Sequence, residues 1–306
     1  MPRSALILVL TAATALTACS GPATSAPEAA DRLAVIKELR GIDVCALYAD
    51  AESVDGQPLT IKGFGSALNC EATVEDPAGT VDATIALNIG PSQPAAEEPS
   101  WIRNEVIDGV NVTIASSADQ PDAPPREEMV AWSCELAASY PDNARLSVSV
   151  MADPDVDGCA VAETLMRTAI RTFEQRPSLG SSGQPSAILS GADPCAPAER
   201  LRATHAVDIA PDDVTVNSCM FTVDGGPPVD VSFSYQAPEL VDVYPDQFSI
   251  GGHRVAGDQS SGVFDVVVGD VVQSARGPVL PLVSVVEPTQ NMDLIRQVAQ
   301  AVADQF

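Results

Sequence analysis

Lysine is nearly missing from this chain: Lys37 and Lys62 are the only two, and the other 14 basic residues are arginines. Asp and Glu number 42 against 16 Lys and Arg, a formal net charge of −26. That deficit of cations argues against nucleic acid as a partner, because phosphate backbones are held by Lys and Arg. It argues equally against electrostatic docking on anionic head groups. The surface it implies is acidic and well solvated. Aromatic residues make up 4% of the chain, and Trp101 and Trp132 are the only tryptophans. No stacking platform for carbohydrate is therefore visible, and Trp132, close to Cys134 in a predicted strand, reads as core. The only histidines are His205 and His253. No HExxH, GxSxG, P-loop or CxxC pattern occurs, so no signature of a zinc protease, serine hydrolase, nucleotide hydrolase, zinc ribbon or thioredoxin-type centre is present. The glycine-serine stretches Gly63-Phe64-Gly65-Ser66 and Gly180-Ser181-Ser182-Gly183 read as turns rather than nucleophile sites.

The start of the chain carries a message of its own. Arg3 is followed by an apolar run from Ala5 to Leu16 and then by Thr17-Ala18-Cys19. A basic residue, a short apolar core and small residues before a cut describe a secretory leader. The run of 12 residues falls short of the about 20 that span a bilayer. Cys19 makes the stretch a lipobox, which predicts cleavage before Cys19 and a diacylglycerol on its thiol. Residues 1–18 are then the signal peptide and 19–30 a polar, Pro-containing tether. Loss of Arg3 with the leader would leave 288 residues with a charge of −27. The predicted location is the extracytoplasmic face of the cell membrane, held there by the lipid on Cys19.

The remainder reads as two copies of one unit. Gly41-Ile42-Asp43-Val44-Cys45 matches Gly191-Ala192-Asp193-Pro194-Cys195, and Leu68-Asn69-Cys70 is echoed by Val216-Asn217-Ser218-Cys219 with one residue of slippage. A helix is predicted over 31–40, ended at Gly41. Strands are predicted near 68–75, 81–89, 102–107, 110–115, 130–137 and 145–151, and closing helices over 157–174 and 289–305. Val81, Ala83, Ile85, Leu87 and Ile89 alternate with Asp82, Thr84, Ala86 and Asn88, the pattern of a half-buried strand. In the second copy Val229, Val231, Phe233 and Tyr235 alternate in the same way. Asp193 is predicted to cap the second unit's opening helix, with Pro194 in its first turn. Consecutive strands with helices at their ends make the expected fold class α+β. Two related units are expected, each an antiparallel sheet with an opening and a closing helix, over 31–174 and 191–306. The Ser-, Gly- and Pro-rich segment 175–190 is the expected linker.

Cys19 aside, six cysteines remain, which allow 15 pairings. An oxidising compartment makes disulfides the default. The duplication narrows the choice. Copy two keeps counterparts of Cys45 and Cys70, but has Val263-Phe264-Asp265 and Asn291-Met292-Asp293 where Cys134 and Cys159 would fall. Bridges are lost or gained as pairs, so the expected set is Cys45–Cys70, Cys134–Cys159 and Cys195–Cys219. Each loop would contribute roughly 3.5 kcal/mol through lost chain entropy.

Lipobox, Asp-Pro-Cys before a short helix at Asp193-Pro194-Cys195, a second cysteine opening a strand and a closing helix together resemble actinobacterial envelope lipoproteins that carry a domain of unknown function. The chain is also similar to the disulfide-bridged α+β sensor domain outside the membrane in certain mycobacterial serine/threonine kinases. Val44 stands where the second copy has Pro194 and departs from that pattern. The resemblance implies a binding, sensing or accessory role in the envelope and supplies no catalytic residues.

One acidic stretch offers chemistry. Asp153, Asp155 and Asp157, with Gly158 at the sixth position, match the start of an EF-hand calcium loop. Against this, the twelfth position is Thr164, and the acid, Glu163, comes one residue early. The competing reading makes Asp157 the cap of the closing helix. The function expected is a non-catalytic, lipid-anchored envelope protein that binds an unidentified ligand or protein, with no cofactor unless calcium occupies that loop. A cleft between the copies is the expected site. Alternatives are a transporter's substrate-binding lipoprotein, which would need alternating βα units, and an envelope hydrolase, for which no motif is found.

Overall fold

Alternation decides the sheets. In a computed structural model, which describes residues 31–49, 53–91, 99–185 and 187–306, the first unit builds eight strands. These are β1 (Ser53–Val54), β2 (Gln57–Ser66), β3 (Asn69–Asp76), β4 (Gly79–Ile89), β5 (Arg103–Ile107), β6 (Val110–Ser116), β7 (Trp132–Ser139) and β8 (Ala144–Ala152). The second unit adds β9 (Val207–Asp208), β10 (Ser218–Val223), β11 (Pro228–Gln236), β12 (Asp246–Ile250), β13 (His253–Asp258), β14 (Val263–Val267), β15 (Val272–Ser274) and β16 (Gly277–Val286). The leader, Cys19 and the tether predicted from the sequence lie outside the described residues.

The helices are α1 (Arg32–Arg40), α2 (Gly158–Phe173), α3 (Ala196–Leu201), α4 (Pro238–Asp242) and α5 (Met292–Ala303). Asp31 caps α1 by accepting from the Leu33 N–H. A 3₁₀ turn over Val44–Tyr48 takes the place of α3 in the first unit, capped by Asp43. In α2, Val161, Ala162, Leu165, Met166, Ala169 and Ile170 recur at helical spacing and are buried, the stripe that packs a helix on a sheet.

The chain is α+β, and its two units share one topology. The first sheet runs β1-β2-β3-β4-β8-β7-β6-β5 and the second β12-β13-β14-β16-β11-β10-β9. Dropping the added edge strands leaves β3-β4-β8-β7-β6-β5 against β10-β11-β16-β14-β13-β12, the same path. Register agrees too. Across the first sheet Cys70, Ile85, Val148 and Leu136 stand in one row. Across the second, Cys219, Val231, Val285 and Phe264 do the same. Matching hairpins turn through Asp108-Gly109 and Gly251-Gly252, all four residues at positive φ, as a two-residue turn between twisted strands requires.

Three bridges staple the units: Cys45–Cys70, Cys134–Cys159 and Cys195–Cys219. They mark an extracytoplasmic, oxidising setting. No helix among the described residues is long and apolar enough to cross a membrane.

Several local expectations are corrected. Gly63-Phe64-Gly65-Ser66 is not a turn but the end of β2, where the register slips twice against β3. Bulges of this kind use glycine at strained backbone positions, and Gly63 has φ of 110°. The helix of the second unit begins at Ala196, so Asp193 caps the turn before it, accepting from the Cys195 N–H. The segment 175–190 is docked rather than loose. Asp43 accepts from the Ser182 N–H and hydroxyl at 2.9 and 2.8 Å, and Leu189 is buried.

The register also moves the counterpart of Cys134. Cys134 precedes Leu136 by two, and the residue two before Phe264 is Gly262, not the Val263–Asp265 stretch. Gly262 has φ of +69°, and a Cβ there would lie 2.0 Å from the Glu287 carbonyl oxygen. A cysteine has no room at that point.

Candidate functional site

α1 lies along the seam between the units. Arg32 donates to the Gly90 carbonyl of the first unit at 2.7 Å and to the Pro211 carbonyl of the second at 3.1 Å. Arg40, 8% exposed, reaches further in. Its Nε donates to the Val216 carbonyl at 3.0 Å and its Nη2 to the Thr215 carbonyl at 2.9 Å, while Nη1 meets Asp193 Oδ1 at 2.7 Å. Burial pulls the Arg40 pKa down, and the Asp193 carboxylate pulls it back. A planar guanidinium with several donors suits this task where an ammonium would not.

Beside that clamp a cleft of about 430 Å³ opens between α1 and α3. Leu33, Ile36, Lys37 and Arg40 face it from α1, at spacings that put them on one side of a helix. Asp193, Glu199, Arg202, Ile209 and Val214 face it from the second unit. Arg202 pairs with Glu199 at 3.1 Å. Lys37 has no ion-pair partner among the described residues.

The units touch a second time where the turn between β15 and β16 lies over the outer face of β2 and β3. The Ala275 N–H donates to the Phe64 carbonyl at 2.9 Å, Arg276 pairs with Glu71 at 2.7 Å, and the Phe64 and Tyr235 rings stand 5.0 Å apart. A polar cleft of about 490 Å³ lies there, lined by Lys62, Thr73, Asp82, Thr84, Ser149 and Met151 among others. Each of the chain's two lysines thus faces a cleft where the units meet.

The acidic stretch singled out in the sequence is differently engaged. Asp157 accepts from the Ala160 N–H at the start of α2, and Asp153 Oδ2 accepts from the Thr80 N–H at 3.0 Å. Asp155 is exposed. Among the described residues no three His, Cys, Asp or Glu side chains come together as metal ligands. Trp132 is core, 5% exposed, and its indole N–H donates to the Asp153 and Val156 carbonyls of that same loop. His205 sits between Asp224 and Gln297, each at 2.7 Å, and the Asp224 hydrogen bond raises its pKa. His253 faces the Val267 carbonyl at 3.0 Å. These hydrogen bonds lead from neither histidine to a hydroxyl or thiol.

Sequence reasoning missed the Arg40 clamp and two buried carboxylates. Asp265, on the α4 side of the second sheet, accepts from the Ser284 hydroxyl. Burial raises its pKa, against bonds from Ser284 and Tyr244 that lower it. Glu287, fully buried, accepts from the Thr289 hydroxyl and the Asn291 N–H. Burial would raise its pKa too, but the Thr289 and backbone bonds outweigh it and hold Glu287 below the usual range. A polar residue inside an apolar strand, for Asp265, or directly after one, for Glu287, is the only signal that marked either one.

No known family model matches the chain, and neither a curated protein nor a solved structure is significantly similar to it.

Proposed function

We propose that the protein is a non-catalytic, lipid-anchored component of the cell envelope that binds a ligand or partner in the cleft between α1 and α3. The observation that carries this reading is the cleft itself: about 430 Å³ between two units, braced by the buried Arg40 and containing a cation with no ion-pair partner among the described residues. Sites of this size favour such seams. The lipobox at Cys19 and the resemblance to envelope lipoproteins support the anchor and the accessory role. Antiparallel pairing throughout both sheets favours this reading over a transporter's substrate-binding protein, which the sequence reading expected to need alternating βα units.

A photo-crosslinking residue placed at Leu33, 44% exposed inside the cleft, tests it against the same residue at Val130, 93% exposed and outside the cleft lining. Irradiation of intact cells should give a saturable adduct at position 33 only. Equal or absent adducts at both positions would reject the cleft as the binding site.

A further inference from the structure

We propose that the cleft between α1 and α3 takes a monoanionic amphiphile, an apolar chain or ring that carries one carboxylate, phosphodiester or sulfonate. The inference rests on the reading of that cleft as the binding site and adds the chemistry of its occupant.

The walls supply the first half of the argument. Ile36 and Val214 are 1% and 2% exposed and form a fixed apolar floor, with Ile209 beside them. Leu33 is 44% exposed at the mouth. Covering apolar surface of this kind is worth about 25 cal/mol per Å², so a ligand with an apolar body gains from the site, and a wholly polar one does not.

Charge supplies the second half. The lining holds three cations, Lys37, Arg40 and Arg202, and two carboxylates, Asp193 and Glu199. Arg40 is neutralised by Asp193 at 2.7 Å and Arg202 by Glu199 at 3.1 Å. One positive charge, on Lys37, is left over in a chain of net charge −26. A single negative charge completes the balance. A dianion would be repelled by the two carboxylates, and a cation would be repelled by Lys37.

The two halves are adjacent. Lys37 follows Leu33 by four residues on α1, one turn along the same face, about 6 Å away. An occupant that pairs with Lys37 therefore lays its body against Leu33 and the floor. The cleft at Lys62 lacks this combination, since hydroxyls and carboxylates surround its lysine. It serves as the internal control.

The test uses the mature chain, residues 19–306 with Cys19→Ala, so that neither acyl chains nor the apolar leader calls for detergent, and 8-anilinonaphthalene-1-sulfonate as a fluorescent probe. Saturable binding is expected, with displacement by decanoate. Lys37→Glu should weaken decanoate at least tenfold while leaving decanol within about twofold. Lys37→Arg should stay within about threefold of the parent, and Lys62→Gln should change nothing. Thermal melts of each variant confirm that the fold is retained. Phosphatidylglycerol and free decanoate, compared as competitors, separate a membrane lipid from a free acid as the source of the anion; displacement by either supports the proposal. Absence of saturable binding, or equal affinity of the parent and Lys37→Glu for decanoate, overturns it. A specific crosslink at Leu33 with no amphiphile binding would reject the ligand class and leave the site standing, whereas loss of both would remove the site as well.

Discussion

Arg40 shows how far one side chain's value depends on where its donors end. Arg40→Ala leaves the carbonyls of Thr215 and Val216 without their charged donor and should cost about 2–4 kcal/mol in urea unfolding. Asp193 is the other half of the ion pair, but its side chain is 53% exposed. Asp193→Asn should therefore cost less than about 1 kcal/mol. Equal losses from the two variants would mean that the ion pair, not the carbonyl clamp, holds the seam. The two buried carboxylates predict opposite pH behaviour. Asp265 has a raised pKa in the folded state, so its contribution is complete below the ordinary carboxylate range and is lost as pH rises through the folded value. Asp265→Asn should gain thermal stability relative to the parent as pH increases. Glu287 has a lowered pKa, so its contribution is complete above the ordinary range and is lost as pH falls through the folded value. Glu287→Gln should be destabilised at neutral pH, with the gap closing in acid. Parallel melting curves across pH 3–7, a window set by the ordinary carboxylate pKa of about 4, would contradict both assignments.

At the scale of elements, the closing helices α2 and α5 reach the same place by different chemistry. Each packs its stripe on a sheet, Ala162, Leu165, Met166 and Ala169 in one and Ile295, Val298, Ala299 and Val302 in the other. In that alignment Met292 stands where Cys159 does. The first unit ties its helix down with Cys134–Cys159. The second closes that site with Gly262 and holds the turn before its helix through Glu287. Asp157 adds a cap to α2, and Asp157→Ala should cost about 1 kcal/mol. That loss should be the same in calcium and in chelator. If calcium instead raises the melting temperature, and Asp153→Asn abolishes the rise, the loop is a calcium site; occupancy at 100 times the dissociation constant would be worth about 2.7 kcal/mol.

The whole molecule combines a large negative charge with two seams built around arginine. Such a charge keeps the surface solvated and gives it no attraction to anionic head groups, so the proposed attachment would rest on the covalent lipid at Cys19. One acyl chain gives marginal membrane binding and two give stable attachment. Cys19→Ala should abolish incorporation of radioactive palmitate and remove the chain from the lipid-modified pool. A mutant that still labels would reject the lipobox.

Much of the fold was legible because its signals are local or repeated. Alternation from Val81 to Ile89 marks a strand without reference to any other residue. Cys45, Cys70, Cys195 and Cys219 could be paired because a duplicated unit displays the same two cysteines twice. The β2 strand escaped because its bulged glycines break the alternation that announces a strand. The seam escaped for a different reason. Arg40 and Asp193 are 153 residues apart, and Arg40 and Val216 are 176 apart, and an arginine at a helix end carries no mark of the carbonyls it will meet. Sequence by itself determined the class of fold, the two units and the bridges, since periodicity and repetition are properties of neighbours along the chain. Tertiary structure alone decided the shape of the clefts, the placing of Lys37 away from any ion-pair partner among the described residues, and the burial of Asp265 and Glu287. Burial and charge balance depend on which distant groups the packed core brings within reach.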